Sequence, residues 1–533
     1  MRHFPDAIKD GRNEKSCRLL CHLCIGIIGE KMDKKKSLLN VFVSVGFKLV
    51  TMVMVIFVKR LLILTCGNEV NGLNALYLSV VGFLSVAELG VGSAITFCMY
   101  RPIVAGDQGK VAALYGLFQR VYGLIGTVVL CIGLLLAPFI HYFAADYAAL
   151  DVNFSGTFVL MLVSVVLTYY YGAKTALINA YKNNYITTAI TSGGLLLQYG
   201  LQVLTLTITG SFSWYLISRI IAVTVQWLVT ELVARKRYRA ILKRREKLDK
   251  ETRIELMKNI KAMFMHNIGS LLVNTADSMI ISIFVGVVVL GKYSNYATIM
   301  SSMLAVLKLV FSSLTSVLGH MYVEKDEQTA RRYCERLHLL NFMLATVFFL
   351  GYYAVIDPLV ALLFGPELVA ERTIAMVVTM NGFVQFMRSG VLVFRDATGT
   401  FYYDRWKPLV EGIFNVVLSV LLVKWIGVVG VIVATVITNL LICHVIEPYV
   451  LFRHAFHASP AGYYLKNYGM MLLFGGAMLL TGRCLKSCES QWTGFFVNGF
   501  LSVGVSLGIC LMVLLCSRDL RGWLLCKGKH HDE

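Results

Sequence analysis

Fourteen apolar runs separated by short polar breaks follow one another along the chain, beginning at Leu38, Leu76, Val121, Phe158, Ile186, Trp214, Ile268, Tyr296, Leu339, Thr373, Leu409, Ile426, Tyr468 and Phe495. A helix needs about 20 such residues to cross about 30 Å of hydrocarbon. Lipid cannot satisfy a free backbone N–H or C=O, so each run has to be helical, and runs this uniformly apolar exclude the alternating strands of a barrel. The expected fold class is all-α: a polytopic membrane protein of fourteen transmembrane helices, set out as two pseudo-symmetric six-helix bundles plus two C-terminal helices. Pro102, Pro358, Pro366, Pro408 and Pro460 lie at or between the ends of the runs, where they are expected to punctuate helices rather than kink them.

The two halves leave a trace in the sequence. Gly67, Gly72 and Tyr77 recur as Gly286, Gly291 and Tyr296, at a constant offset of 219 residues, and each set bridges one apolar run to the next. A duplicated membrane bundle most often belongs to a transporter. The expected organisation is a cytoplasmic N-terminal segment 1–37, a bundle 38–234, a basic cytoplasmic linker 235–267, a second bundle 268–446, two added helices 447–516 and a cytoplasmic tail 517–533.

Composition agrees with the pattern, because hydrophobic residues make up 57% of the chain, charged residues 15%, and the mean hydropathy is +0.68. Charge then sets the orientation. Thirty-eight Lys and Arg fall in the segments on the N-terminal side of the membrane, against seven outside: Lys59, Arg60, Lys292, Arg372, Lys424, Arg483 and Lys486. The positive-inside rule therefore puts both termini in the cytoplasm. The same rule accounts for a net charge of +19 without a nucleic-acid partner. The stretch from Arg235 to Lys261, with twelve cations against four acids, reads as a topology anchor on anionic headgroups.

The N-terminal leader has its own features. The apolar patch from Leu19 to Ile28 is too short to span and lacks a small-residue cleavage site, so it does not read as a signal peptide. Met32, followed by Asp33 and three lysines, is an alternative start. Cys17, Cys21 and Cys24 have a spacing that holds an iron–sulfur cluster elsewhere, but no barrel-forming βα pattern follows, so no cofactor is expected. Cys484 and Cys488 are close enough in sequence to pair.

Candidate functional residues are the charges inside the runs. Lys174, Arg219 and Arg388 lie about 8 to 9 Å from a span end, within reach of the surface by snorkelling. Lys48, Glu88, Asp277 and Lys308 lie roughly 14 to 18 Å deep and need a cavity or one another. Each half thus places one cation and one anion on its first two helices. Lys48 with Glu88 and Asp277 with Lys308 either form ion pairs or line a shared cleft. Tyr77, Tyr293 and Tyr296 are expected in an aromatic belt.

Three segments carry a family resemblance. Val86 to Gly126, containing "VAELGVGSAITF", Lys258 to Met300, containing "NTADSMIISIFVG", and Ala397 to Leu440, containing "DRWKPLVEGIFN", resemble the second, seventh, and eleventh and twelfth spans of Wzx-type polysaccharide repeat-unit flippases. The likeness runs from about Met32 to Leu451 and implies membership of the multidrug/oligosaccharidyl-lipid/polysaccharide exporter superfamily. It implies two six-helix bundles open alternately to either side, and a cargo of undecaprenyl-diphosphate-linked oligosaccharide moved across a bacterial inner membrane. Lys48 and Lys308 are then the leading diphosphate contacts, with Arg388, Lys174 and Arg219 after them. Glu88 and Asp277 either neutralise these cations between cargoes or respond to a coupling ion, H+ or Na+. Membrane lipids and polymerases or glycosyltransferases of the pathway are the implied partners. A multidrug or cation antiporter and a lipid II flippase share the implied fold. A membrane glycosyltransferase or polymerase fits less well, since the outer loops are short and no paired base and nucleophile is visible.

Overall fold

The computed structural model describes residues 34–517 except 89, 90, 151, 245, 247, 401, 402, 487 and 489, and the leader cysteines lie outside them. Residues 1–50 and 51–533 form separate compact units, and the contacts below belong to the second. The described chain is helical nearly throughout and holds no strand. Every expected span start falls in a helix: α1 (Lys34–Cys66), α2 (Asn68–Leu84), α4 (Gln108–Leu136), α5 (Phe154–Ala180), α6 (Asn184–Thr209), α7 (Phe212–Lys243), α8 (Lys250–Phe284), α9 (Val287–Ser312), α11 (Glu327–Phe364), α12 (Arg372–Met387), α14 (Lys407–Thr438), α16 (Ala461–Cys484) and α17 (Gln491–Cys516). Shorter helices complete the second, eighth, tenth and twelfth spans: α3 (Val91–Val104), α10 (Thr315–Glu324), α13 (Ser389–Thr398) and α15 (His444–His454). Nine segments among the described residues are long and apolar enough to cross a membrane. One of them, Lys407–His454, contains two expected spans, because backbone at Ile426 and Gly427 leaves the helical region and turns the chain back. The protein is an all-α, multi-pass membrane protein.

Helix ends are closed by their own residues. Asp107, Asn153, Asp249 and Asp326 each accept a hydrogen bond from the backbone N–H three residues on, which satisfies one of the donors that every helix N-terminus leaves free. The backbone N–H of Thr252 holds the Asp249 carboxyl below its ordinary range. Two proline expectations change: Pro102 lies inside α3 and Pro358 inside α11. Proline only removes one backbone donor and crowds one carbonyl, a cost that neighbouring helices absorb in membrane bundles. In the stretch 235–267, α7 runs on to Lys243 and α8 starts at Lys250, so it is helical on both sides of a six-residue break. Lys59 and Arg60, expected in an outer loop, are inside α1.

Packing follows the repeat. In the first half α4, α5, α6 and α7 pack on one another, and in the second α8 packs along α14 while α12 touches α9, α11 and α14. The added helices α16 and α17 dock on α11, and Phe474 of α16 stacks on Phe383 of α12 at 3.7 Å. Much of the outer surface stays apolar, with only 22% of the α17 window covered by protein, as a lipid-facing helix requires.

Between the halves, α2 crosses α9 at the repeated glycines. Gly67 and Gly286 both precede their helices in a left-handed conformation, at φ 90° and 118° with ψ 164° and 163°. A Cβ on Gly72 would come within 1.9 Å of the Val287 carbonyl oxygen, and one on Gly291 within 2.5 Å of the Asn68 carbonyl oxygen. The repeated tyrosines are not belt residues. Tyr77 and Tyr296 are fully buried, Tyr77 donating to the Phe154 carbonyl at 2.8 Å and Tyr296 to Asp357 at 2.8 Å while accepting from Ala370 N–H.

Gly72→Ala should therefore push α2 off α9 and cost about 1–3 kcal/mol, the usual range for overpacking. Thermal unfolding of the solubilised protein should register a clear fall in Tm, and an unchanged Tm would refute the crossing as described.

Candidate functional site

The interface between the halves is polar at the end opposite the basic loops. Asn71 Nδ2 donates to the Gly291 carbonyl at 3.1 Å and to Asn295 Oδ1 at 3.2 Å, and Asn68 Nδ2 donates to the Val288 carbonyl at 2.9 Å. Lys59 Nζ donates to the Ser294 carbonyl at 2.7 Å and to Thr298 Oγ1 at 2.9 Å. Asp146, from the segment before α5, accepts from the N–H groups of Val287 and Val288 at 2.9 and 3.1 Å. A carboxylate there satisfies free donors and complements the helix dipole. Asp146 is a helix cap that joins the halves. Lys59 carries no mid-span signal in the sequence because it adjoins Arg60 at the end of an apolar run.

A second cluster lies in the second half. Arg388 Nε donates to Glu447 Oε2 at 3.0 Å, a second guanidinium nitrogen meets the same carboxylate, and its third nitrogen donates to Asn439 Oδ1 at 2.7 Å. Lys407 Nζ lies 2.7 Å from both Glu411 and Glu447. Arg395 pairs with Asp404 at 2.8 Å. Lys407, Glu411, Glu447 and Asp404 are all buried. Three cations therefore face three buried carboxylates, and Arg388 has its charge matched within the protein. The junction of α12 and α13 supplies Arg388, α13 supplies Arg395, the turn before α14 supplies Asp404, and α14 and α15 supply the rest, so most members meet only in three dimensions. The one local signal is Lys407 with Glu411, four residues apart at the start of a span.

The remaining expected residues separate into different environments. The side chain of Lys48 lies outside the described residues. Lys174 is buried and pairs with Glu231 at 2.7 Å, and Glu231 also meets Arg235 at 2.6 Å. These groups line a cavity of about 620 Å³ together with Lys236, Arg239 and Lys243, so one carboxylate faces five cations. Arg219 lies by Tyr199 and Tyr215, with no acid in ion-pair distance among the described residues. Glu88 Oε1 accepts from Tyr122 Oη at 2.9 Å. Lys308 is exposed on α9 and has no acid in ion-pair distance among the described residues.

The Asp277–Lys308 ion pair does not form. Asp277 Oδ2 instead accepts from Thr435 Oγ1 at 3.1 Å, and Asn415 Nδ2 donates to the same hydroxyl at 2.9 Å. Asp277 Oδ1, Asn415 Oδ1 and Ser419 Oγ are buried without a hydrogen-bond partner among the described residues. α8 and α14 approach closely enough for this because Gly269 lies against the backbone of Pro408, where a Cβ would come within 1.9 Å. Cys484 and Cys488 are both free thiols.

No family model and no curated protein sequence matches the chain. Solved structures do match in fold. The chain is similar to the inward-closed lipid II flippase MurJ at a TM-score of 0.61 and 12% identity, covering 90% of this chain and 100% of that one. It is also similar to an inward-facing multidrug resistance MATE family transporter of the MOP superfamily, at 0.58 and 13%, covering 75% and 94%. A MOP superfamily transporter from Pyrococcus furiosus with a binding pocket of reversed polarity matches at 0.51 and 12%, covering 83% and 98%. The chain has the fold of MOP superfamily transporters.

Glu447→Gln should leave Arg388 and Lys407 with Glu411 as the one carboxylate they share, one buried positive charge in excess, and cost about 3–5 kcal/mol. Adding Lys407→Met to that variant should recover part of the lost Tm. A single variant as stable as wild type would mean that the cluster is hydrated rather than buried.

Proposed function

We propose that the protein is a transporter that flips an undecaprenyl-diphosphate-linked oligosaccharide, a polysaccharide repeat unit, across the bacterial inner membrane by alternating access. The observation that carries this reading is the isolated lysine on α9. Lys308 falls within about 4 Å of the midpoint of the apolar segment Val287–Glu324, formed by α9 and α10 with a turn at Ser313 and Leu314, counted at 1.5 Å per residue. A lysine at that depth costs at least ~2.5 kcal/mol unless water or an anion reaches it. Arg388 and Lys174 have carboxylate partners, so Lys308 is the better diphosphate contact. The polyprenyl tail needs no such help, since it never leaves hydrocarbon.

The fold shared with a lipid II flippase and with multidrug transporters supports a membrane transporter of this kind. The positive-inside orientation puts the basic cavity around Lys174 on the cytoplasmic side, which supports a role in collecting an anionic, lipid-linked substrate. Asp277, Asn415, Ser419 and Thr435 supply several oxygens without full hydrogen bonding, which suits a coupling cation, H+ or Na+. The second reading, a cation or multidrug antiporter, draws on Glu88 and Asp277, neither of which has a cationic partner among the described residues. An exposed mid-span lysine disfavours a cationic cargo.

Depletion of the protein in its native host should leave lipid-linked glycan on the cytoplasmic leaflet. Unchanged glycan pools with altered drug resistance would instead select the antiporter. Lys308→Ala should lower export at least about tenfold, equivalent to ~1.4 kcal/mol, with normal membrane insertion; wild-type surface glycan in that variant would remove Lys308 from the site.

A further inference from the structure

The first half of the chain contains a cavity that the cation-based reading leaves unused. Its volume is about 730 Å³, within the range of ligand sites, and α3, α4 and α5 supply most of its lining. Its wall is rigidly built around Tyr122. The hydroxyl of that residue donates to Glu88; a Cβ on Gly92 would come within 2.4 Å of that hydroxyl, and one on Gly172 within 2.9 Å of the ring. Edge-to-face contacts to Phe118 at 4.5 Å and Tyr169 at 5.9 Å hold the ring further, and Tyr169 itself donates to Ser85 Oγ at 2.9 Å. By contrast, Phe97 and Tyr100 on α3 line the cavity with much of their surface uncovered, at 59% and 47% exposure.

This lining selects a type of ligand. No Lys or Arg contributes to it among the described residues, so it is not a diphosphate site. Thr96, Thr175 and Asn179 add neutral hydroxyl and amide groups beside the single carboxylate of Glu88. An organic cation would be held by ring faces gathered round the carboxylate. Here the rings nearest Glu88 are engaged edge-to-face with one another, while Phe97 and Tyr100, which also meet edge-to-face at 6.3 Å, keep much of their surface uncovered. A pyranose matches that division, with its C–H faces lying on aromatic rings and hydroxyls round its rim to bond carboxylate, hydroxyl and amide groups. Helices α4 and α5 also carry Gln119 and Lys174, which line the basic cavity, so the two cavities share these two helices.

We propose that this cavity is a saccharide-binding subsite, in which a sugar ring of the cargo lies against Phe97 and Tyr100 while its hydroxyls bond Glu88, Thr96 and Asn179. The proposal rests on the reading of the protein as a lipid-linked oligosaccharide flippase and names the part of the cargo that this site takes. It is tested with the full chain in lipid nanodiscs, titrated with a panel of free tri- and tetrasaccharides by saturation-transfer NMR. At least one saccharide should bind. Tyr100→Ala and Glu88→Gln should each weaken it at least tenfold, and the lipid-facing control Leu472→Ala should leave it unchanged. Absence of saccharide binding, or binding indifferent to both variants, overturns the subsite. Tetraphenylphosphonium binding that Glu88→Gln abolishes overturns it in favour of an organic-cation site. Export assays separate the two levels of the argument. If depletion strands lipid-linked glycan while the Tyr100 and Glu88 variants export at wild-type rates, only the subsite fails. If depletion strands nothing, the flippase reading fails and the cargo assignment goes with it.

Discussion

A charge in the middle of a bilayer has to be solvated by something, and the penalty for leaving it bare decides where every ionisable group in this protein is placed. Most of the deep groups answer that demand from within. Arg388, Lys407, Glu411 and Glu447 neutralise one another, Lys174 is met by Glu231, and Asp146 is met by the free N–H groups of a helix end. Against this background Lys308 and Asp277 are informative, because the protein supplies the first with no acid and the second with no cation among the described residues. On the function proposed above, these two are the groups left for a ligand or an ion to solvate.

The same constraint shapes how the helices meet. Lipid offers no hydrophobic drive for helix association, so contacts depend on close approach and on hydrogen bonds. Gly72 and Gly291 bring the backbones of α2 and α9 together, and Asn68, Asn71 and Lys59 then bond across the gap. Gly269 and Pro408 do the equivalent for α8 and α14, which is what puts Thr435 within reach of Asp277. The two halves are related at the repeated glycines and tyrosines but have diverged in chemistry. The first keeps an aromatic cavity and a basic one, and the second invests its charges in a closed network.

The sequence by itself determined the fold class and the repeated residues, because each depends on local quantities: the length of an apolar run and the identity of residues at a fixed offset. It picked out some of the ionisable residues inside spans, such as Arg388 and Asp277, and missed Lys59, Glu411 and Glu447. Tertiary structure alone decided what those residues do. Arg388 reads as a free cation until Glu447, fifty-nine residues away, closes on it. Asp277 pairs on paper with Lys308 yet bonds Thr435, since the partner of a deep charge is set by which helix faces it and no one-dimensional pattern carries that information. Tyr122, Gly92 and Gly172 gave no sign of forming a cavity wall for the same reason: ring, glycine and carboxylate come from four segments and meet only when the helices pack.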